Sequence, residues 1–290
     1  MNPAHNFQNT DVVTNRNSLR KLLDFAAGQA CDSFRIDLHM VNNTLFLNRK
    51  ERNIRETILG SLGGFGHNFE KVSTEALPGL EDSMAHHRVI AYELGGLKCA
   101  VCFEADAYFD DDDDDDNNNN KGQQEPDPEP SSISDGLISS MLGGLSLQEK
   151  GGKENGSIQV SNRGYFIPSS SIAEIKSRSK PLKIQDIMPQ LWFSRTPHLL
   201  CGYHKNGSFA KIEARDCKSM FSDWGSKHQP ALRKMVDLLT KLRGLTAGSG
   251  NRSCVVVYDK KLKPPALCVY SYPASRLGLP GGIVQKYWRA

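Results

Sequence analysis

The sequence predicts an α+β protein in which a mixed, twisted β-sheet is flanked by helices. Alternating apolar and polar residues mark short strands, as at residues 34–40. The pairs Asn42-Asn43 and Gly95-Gly96 interrupt this alternation and are typical of hairpin turns. Apolar residues at helical spacing over residues 230–242 indicate a long helix near the end of the chain.

The other elements follow from the same two periodicities, with Gly, Pro and Asn marking the boundaries. The predicted order is a helix at 19–25, hairpin strands at 34–40 and 44–47, a helix at 68–77, hairpin strands at 87–94 and 97–108, strands at 158–160, 165–167 and 172–176, hairpin strands at 199–203 and 208–212, the helix at 230–242 and a last hairpin at 254–258 and 266–272.

A chain of 290 residues suits one domain. We expect a flexible N-terminus at 1–10 and a single domain at 11–290. This domain is interrupted by a disordered insertion at 110–155, because a run of aspartates repels itself and has nothing to bury.

Charge is distributed unevenly along the chain. Residues 110–160 carry a net charge of −10, so the remaining residues carry +13. A body this basic favours a polyanionic partner, RNA or DNA, although a basic surface can also serve solubility alone. The odd count of seven cysteines, no signal peptide and no long apolar run favour an intracellular protein without a membrane partner.

Two acidic motifs each end a predicted strand. In Glu174-Ile175-Lys176 and Glu104-Ala105-Asp106, the outer residues share one side of the strand because side chains alternate with a period of two. Three carboxylates and a lysine can perform metal-assisted hydrolysis of a phosphodiester, in which a carboxylate-bound Mg²⁺ activates water. Hard oxygen ligands favour Mg²⁺ or Mn²⁺ over zinc. Each motif alone is also consistent with a solvated strand end.

Taken in order, these motifs resemble those of the decapping exoribonuclease (DXO-type) family, including its fungal branch. That family belongs to the P-D-(D/E)-x-K nuclease fold group. The resemblance rests on the acid-acid motif, on Glu174-Ile175-Lys176, on the preceding run from Gly66 to Glu70 and on the segment from Pro189 to Trp192. It covers roughly residues 35 to 215.

The resemblance implies a role for each matching position. The implied metal ligands are Glu70, Glu104, Asp106, Glu174 and the main-chain carbonyl of Ile175. The implied catalytic residues are Glu174, Lys176 and Gln190, of which Lys176 and Gln190 would also bind substrate together with Glu104. The family further uses an upstream arginine to bind substrate phosphate, for which Arg49 is the candidate and Arg52 and Arg55 are the alternatives.

The resemblance implies a metal-dependent hydrolase of RNA 5′ ends, of the decapping, pyrophosphohydrolase or 5′–3′ exoribonuclease type. Its expected partners are an RNA 5′ end and a 5′–3′ exoribonuclease protein, in mRNA quality control. The nucleus is favoured over the cytoplasm, although no strong basic localisation cluster is present. Two alternatives stay open, namely a DNA nuclease of the same fold group and a non-catalytic RNA-binding scaffold.

Overall fold

The computed structural model describes residues 6–50, 65–109, 161, 163–272 and 279–288. The described residues between 6 and 109 and between 165 and 288 belong to one compact unit. The predicted insertion at 110–155, the strand expected at 158–160, and both Arg52 and Arg55 lie outside the described residues.

Strands dominate the described chain, and they fall into two sheets. The strands are β1 (Val12–Asn15), β2 (Phe34–Val41), β3 (Thr44–Lys50), β4 (His87–Leu94), β5 (Leu97–Glu104), β6 (Ala107–Tyr108), β7 (Ile172–Arg178), β8 (His198–Lys205), β9 (Ser208–Asp216), β10 (Ser253–Tyr258) and β11 (Leu267–Ser271).

The larger sheet has seven strands in the order β11-β10-β2-β3-β1-β5-β4. Strand β1 is parallel to both of its neighbours, β3 and β5, whereas β2–β3, β4–β5 and β10–β11 are antiparallel hairpins. The turn between β2 and β3 places Asn42 at a φ of +48°, a conformation that asparagine tolerates better than most residues. The sheet is therefore mixed, as predicted.

The smaller sheet has the order β6-β7-β8-β9, with β7 parallel to β8 and antiparallel to β6. Strand β5 belongs to the large sheet and β6 to the small one, and only Ala105 and Asp106 separate them. Asp106 therefore lies where the chain passes between the sheets. In β6, Ala107 pairs with Ala173, which is adjacent to Glu174 in β7.

Six α-helices accompany the sheets in the described part of the chain. They are α1 (Arg16–Ala26), α2 (Gly66–Ser73), α3 (Ile184–Ser194), α4 (Met220–Lys227), α5 (Gln229–Gly248) and α6 (Gly281–Tyr287). Helix α1 packs against α3 and α5, and its buried face carries Leu19, Leu22 and Leu23. These leucines join one core with the inner faces of the large sheet. No helix among the described residues is long and apolar enough to cross a membrane.

Four predicted elements differ from the structure. The strand expected at 97–108 is divided into β5 in the large sheet and β6 in the small one. Residues 165–167 form no strand. Helix α2 ends at Ser73, because Thr74 is extended and its hydroxyl donates to the Glu70 carbonyl at 2.9 Å. Helix α5 was expected to end at residue 242 but continues to Gly248, because the added turn buries Thr246 completely.

The N-terminal segment expected to be flexible is packed in its described part. Residues Phe7–Asn9 form a 3₁₀ turn, and the Phe7 ring stacks on Trp288 with 5.0 Å between ring centroids. Asn6 caps this turn by accepting a hydrogen bond from the main-chain N–H of Gln8. The polar sequence did not indicate this contact, because Trp288 lies at the opposite end of the chain.

Candidate active site

Glu174 is the most enclosed acidic side chain of the candidate site. It lies in β7, in the interior of the small sheet, and only 2% of it is exposed. Its carboxylate accepts hydrogen bonds from Lys176 and from the Gln190 side-chain amide, and Arg16 donates to it at 2.8 Å. A buried carboxylate needs such partners, because its ionised form is otherwise poorly solvated.

Two helices bring Arg16 and Gln190 to Glu174, whereas Lys176 lies on β7 itself. Arg16 is the first residue of α1, whose N-terminus is capped by the Asn15 side chain accepting from the Ser18 N–H at 2.8 Å. Gln190 lies on α3, directly after Pro189. The Ser194 hydroxyl links the two helices, since it donates to the Gln190 carbonyl at 2.9 Å and accepts from Arg16 at 3.3 Å.

Asp106 is held from the side of β7. One of its carboxylate oxygens accepts the main-chain N–H of Ile175 at 2.8 Å, and the same oxygen lies 3.8 Å from the Lys176 ammonium nitrogen. Glu174 and Asp106 are thus on either side of Lys176 and share it. The structure thus brings one carboxylate from each acidic motif to the same lysine.

The surroundings drive the acidities of the two carboxylates in opposite directions. Burial and the neighbouring Glu174 raise the pKa of Asp106 to about 7, because Lys176 and the Ile175 N–H compensate only part of the cost. Burial also opposes ionisation of Glu174, but Lys176 and Arg16 outweigh it and hold the pKa of that carboxyl below its usual range. Glu174 is therefore ionised at neutral pH, and Asp106 is close to its midpoint.

The Lys176 ammonium occupies a cradle of oxygen atoms. It contacts the Glu174 carboxylate, lies 3.1 Å from the Ile175 carbonyl oxygen and lies 3.8 Å from Asp106. Carboxylate and carbonyl oxygens are the donors that Mg²⁺ and Mn²⁺ prefer. The donor set around this cation therefore fits a divalent metal, and it includes three of the five predicted ligands.

The two other predicted ligands lie on elements other than β7, Glu104 on β5 and Glu70 on α2. Glu104 is exposed at the end of β5, opposite His87. Glu70 is half-buried on α2, a helix that packs against β7. Among the residues that the structure describes, no group of three or more His, Cys, Asp and Glu is arranged to hold a metal ion. The roles of Glu70 and Glu104 remain predictions.

Helix α2 is fixed by a close ring contact. The buried Phe69 lies directly over Gly202 of β8, where a Cβ atom would come within 2.3 Å of the ring. The same ring stacks on Phe209 with centroids 4.4 Å apart. This contact explains why phenylalanine and glycine are paired here, and it fixes the helix that carries Glu70.

Two arginines of the site, Arg16 and Arg20, were missed by the sequence analysis. They are one helical turn apart on α1, and Arg20 donates to the Gln190 side-chain oxygen at 3.2 Å. Burial, followed by the nearby Arg16, lowers the pKa of Arg20, and Arg49 contributes in the same direction. Arg49, the predicted phosphate-binding residue, is therefore close enough to influence the pKa of Arg20. Arg16, by contrast, contacts Glu174 directly. A signal was present: two arginines at i and i+4 directly after a short apolar strand.

This fold and site can be compared with known proteins. S. pombe Rai1 in complex with 3′-FADP superposes with a TM-score of 0.53 at 12% identity, covering 91% of this chain and 72% of Rai1. Candida albicans Rai1 in complex with pU5-Mn²⁺ gives 0.52 at 11% identity, with 90% and 70% covered. K. lactis Dxo1 in complex with manganese gives 0.50 at 12% identity, with 97% and 68% covered. No curated protein matches the sequence.

The chain thus has the mixed α+β nuclease fold of the Rai1 and Dxo1 proteins, which confirms the predicted fold class and the resemblance to the fungal DXO-type family. By sequence, the chain belongs to the family described as "Domain of unknown function (DUF8563)", whose match spans residues 1–288.

Proposed function

We propose that this protein is a metal-dependent hydrolase that acts on the 5′ end of RNA. The observation that carries the proposal is the buried Glu174 carboxylate, which Lys176, Gln190 and Arg16 hold beside Asp106. The Rai1 and Dxo1 neighbours support it, because their structures contain nucleotide, RNA or manganese.

The metal-holding part of the site consists of the Glu174 and Asp106 carboxylates and the Ile175 carbonyl. Glu70 and Glu104 are proposed to complete this set. A divalent metal, Mg²⁺ or Mn²⁺, would supply charge that lowers the pKa of the attacking water and stabilises the phosphoryl transition state.

The substrate-binding part of the site is cationic. We assign phosphate binding to Arg16 and Arg20 of α1, because Arg16 donates to Glu174 and Arg20 donates to Gln190. Arg49 is assigned the same role, because its charge helps to lower the pKa of Arg20. Arginine suits this role because its planar fork matches phosphate oxygens. Lys176 and Gln190 would orient the attacking water and the scissile phosphate, since both already contact Glu174.

The experiment is hydrolysis by the purified chain with Mg²⁺ or Mn²⁺ and three matched substrates: capped RNA, 5′-monophosphate RNA and 5′-phosphate DNA. We expect cleavage at the RNA 5′ end, and its loss in Glu174→Gln and in Asp106→Asn. Full activity in both variants would refute the proposed site. Preferential cleavage of DNA would show that DNA, and not RNA, is the substrate.

A second candidate function is a non-catalytic RNA-binding protein with the same fold. Two observations favour it: Lys176 fills the oxygen cradle, and among the described residues no group of three or more His, Cys, Asp and Glu is arranged to hold a metal ion. RNA binding that persists without hydrolysis under any metal would support this second function.

The cellular role follows from the same proposal. We propose nuclear RNA quality control as the setting and a 5′–3′ exoribonuclease as the protein partner. Affinity purification of the tagged chain from nuclear and cytoplasmic fractions tests both points. Enrichment of an exoribonuclease in the nuclear fraction is the expected result, and recovery from the cytoplasm alone would contradict it.

A further inference from the structure

Three aromatic side chains next to the site are exposed to solvent. Phe166 is 77% exposed, Tyr165 is 60% exposed and Phe109 is 36% exposed. Large apolar side chains that cluster at a surface commonly mark a binding site, because each exposes area that folding would otherwise bury.

The segments that carry these rings are anchored. Ile167 is buried in a small apolar cluster with Phe103, Ala105 and Ile172. The Tyr165 hydroxyl lies 3.1 Å from the Tyr108 hydroxyl. The rings are thus exposed although their backbone is fixed, so little ordering entropy would be lost when a flat ligand stacks on them.

The anchoring residues adjoin both carboxylates of the site. Ala105 directly precedes Asp106, and Tyr108 pairs with Ile172, two residues before Glu174. A chain with its 5′ end at Asp106 and Glu174 would therefore reach the exposed rings within its next few nucleotides.

A cation accompanies the rings. Arg88 of β4 pairs with Phe103 of β5, and its guanidinium carbon lies 5.8 Å from the centroid of the Phe166 ring. Within the described residues, no carboxylate lies at ion-pair distance from Arg88. Aromatic faces combined with an uncompensated arginine are the composition that single-stranded nucleic acid binds, by base stacking and phosphate contact.

We propose that Tyr165, Phe166 and Arg88 form an aromatic platform on which the bases of single-stranded RNA stack beyond the 5′ nucleotide. This inference rests on the proposed function for the direction of the RNA chain. Stacking is tolerant of sequence because every base has a π-face, so the platform selects unpaired RNA of sufficient length and not a base sequence.

The test measures binding in EDTA, where hydrolysis does not interfere. The probe is a 5′-phosphorylated, fluorescently labelled single-stranded RNA of about twelve nucleotides, within the site sizes typical of such surfaces. A second copy carries 2-aminopurine at the second to fourth nucleotide and reports stacking by quenching. The variants are Phe166→Ala and Tyr165→Ala. The matched control is Tyr270→Ala, which removes a ring that is 56% exposed on β11, at the opposite edge of the large sheet.

We expect Phe166→Ala to weaken binding on the order of tenfold, since one base–aromatic stack contributes about 1–3 kcal/mol. Quenching of 2-aminopurine should decrease as well, and Tyr270→Ala should change neither. Wild-type affinity and quenching in both platform variants would overturn the proposal, as would an equal loss in Tyr270→Ala. Because Phe166 is exposed, Phe166→Ala should keep the wild-type melting temperature, and measuring that temperature checks that the variant folds.

The platform and the proposed hydrolase can fail separately. If quenching depends on Phe166 but the protein hydrolyses no substrate, the platform is supported and the proposed hydrolase activity is refuted. Conversely, if wild type and Phe166→Ala both cleave long RNA with Mg²⁺ and with the same KM, the hydrolase is supported and the platform is refuted. With both correct, Phe166→Ala raises KM for long RNA and lowers 2-aminopurine quenching, whereas Tyr270→Ala changes neither.

Discussion

The strand β7 and the junction between β5 and β6 each supply one carboxylate of the site, and the surroundings of the two differ. Glu174 is buried, whereas Asp106 is half-buried. Glu174 in β7 is surrounded by Arg16, Lys176 and Gln190, which hold its pKa below the usual range despite burial. Asp106 at the junction has a main-chain N–H and a more distant Lys176, and burial raises its pKa to about 7.

The difference shows what each acid contributes. Glu174 is a fixed anion whose charge is balanced from within the fold, so it supports the structure as well as the site. Asp106 is an incompletely balanced anion, which gains most from an added cation. From this comparison we propose that Glu174 organises the site and that Asp106 makes it responsive to a metal.

The strongest way to break the comparison is Glu174→Ala. This change leaves the Arg16 guanidinium buried without its carboxylate, which we expect to cost about 3–5 kcal/mol of unfolding free energy. Urea unfolding in EDTA measures the loss. Asp223→Asn, which removes an exposed carboxylate paired with Lys227, is the control and should change little. An unchanged midpoint for Glu174→Ala would show that Arg16 is solvated in another way.

Asp106→Asn tests the opposite behaviour. A folded-state pKa raised from about 3.8 to about 7 means that the fold prefers the neutral acid. The resulting stability is therefore present below the unfolded pKa and is lost as the pH rises through about 7. Asparagine cannot ionise, so the variant does not lose this stability as the pH rises. We therefore expect Asp106→Asn to be more stable than wild type in EDTA by roughly 2–4 kcal/mol near pH 8.

The measurement is urea unfolding of both proteins over a pH series. The stabilisation should shrink steadily toward about pH 4, because both folded and unfolded wild type then hold the proton. If the stabilisation did not depend on pH, its cause would be packing and not charge. Hydrolysis by Asp106→Asn should be lost at every pH.

Gly202→Ala tests whether the helix carrying Glu70 depends on its close contact with β8. The new methyl group would press into the Phe69 ring, so we expect a loss of about 1–3 kcal/mol in unfolding free energy and a weaker response of activity to metal. The matched control is Gly244→Ala, where the site has open space inside α5 and alanine should stabilise by about 0.5–1 kcal/mol. Equal stability for Gly202→Ala and wild type would mean that α2 can shift without consequence.

Lys176→Met sharpens the comparison at the cation that both acids share. Removing the ammonium from the oxygen cradle deprives Asp106 and Glu174 of a competing charge, so we expect Mn²⁺ to bind roughly tenfold more tightly, about 1.4 kcal/mol. Isothermal titration calorimetry gives the affinity, and Lys180→Met serves as an exposed control. Activity should nevertheless fall, because Lys176 is proposed to contact the phosphate. Weaker Mn²⁺ binding in Lys176→Met would contradict the shared cradle.

The sequence by itself determined most of the strands, although not β1, and the spacing of the two acidic motifs. Alternation of side chains is a local property, so Glu174 and Lys176 could be placed on one side of β7 without any knowledge of the fold. The same holds for the hairpins at Asn42-Asn43 and Gly95-Gly96, whose turn chemistry is contained in the residues themselves. The order of motifs was enough to identify the fold.

Tertiary structure alone decided which charges meet. Arg16 reaches Glu174 across 158 residues of sequence, and Arg20 reaches Gln190 across 170. Pairings at this distance depend on how α1 packs against α3 and the sheets, and no local pattern contains that information. The exposure of Glu104, the burial of Glu174 and the opposite pKa shifts of the two carboxylates have the same origin: burial and charge–charge distance are properties of the assembled chain.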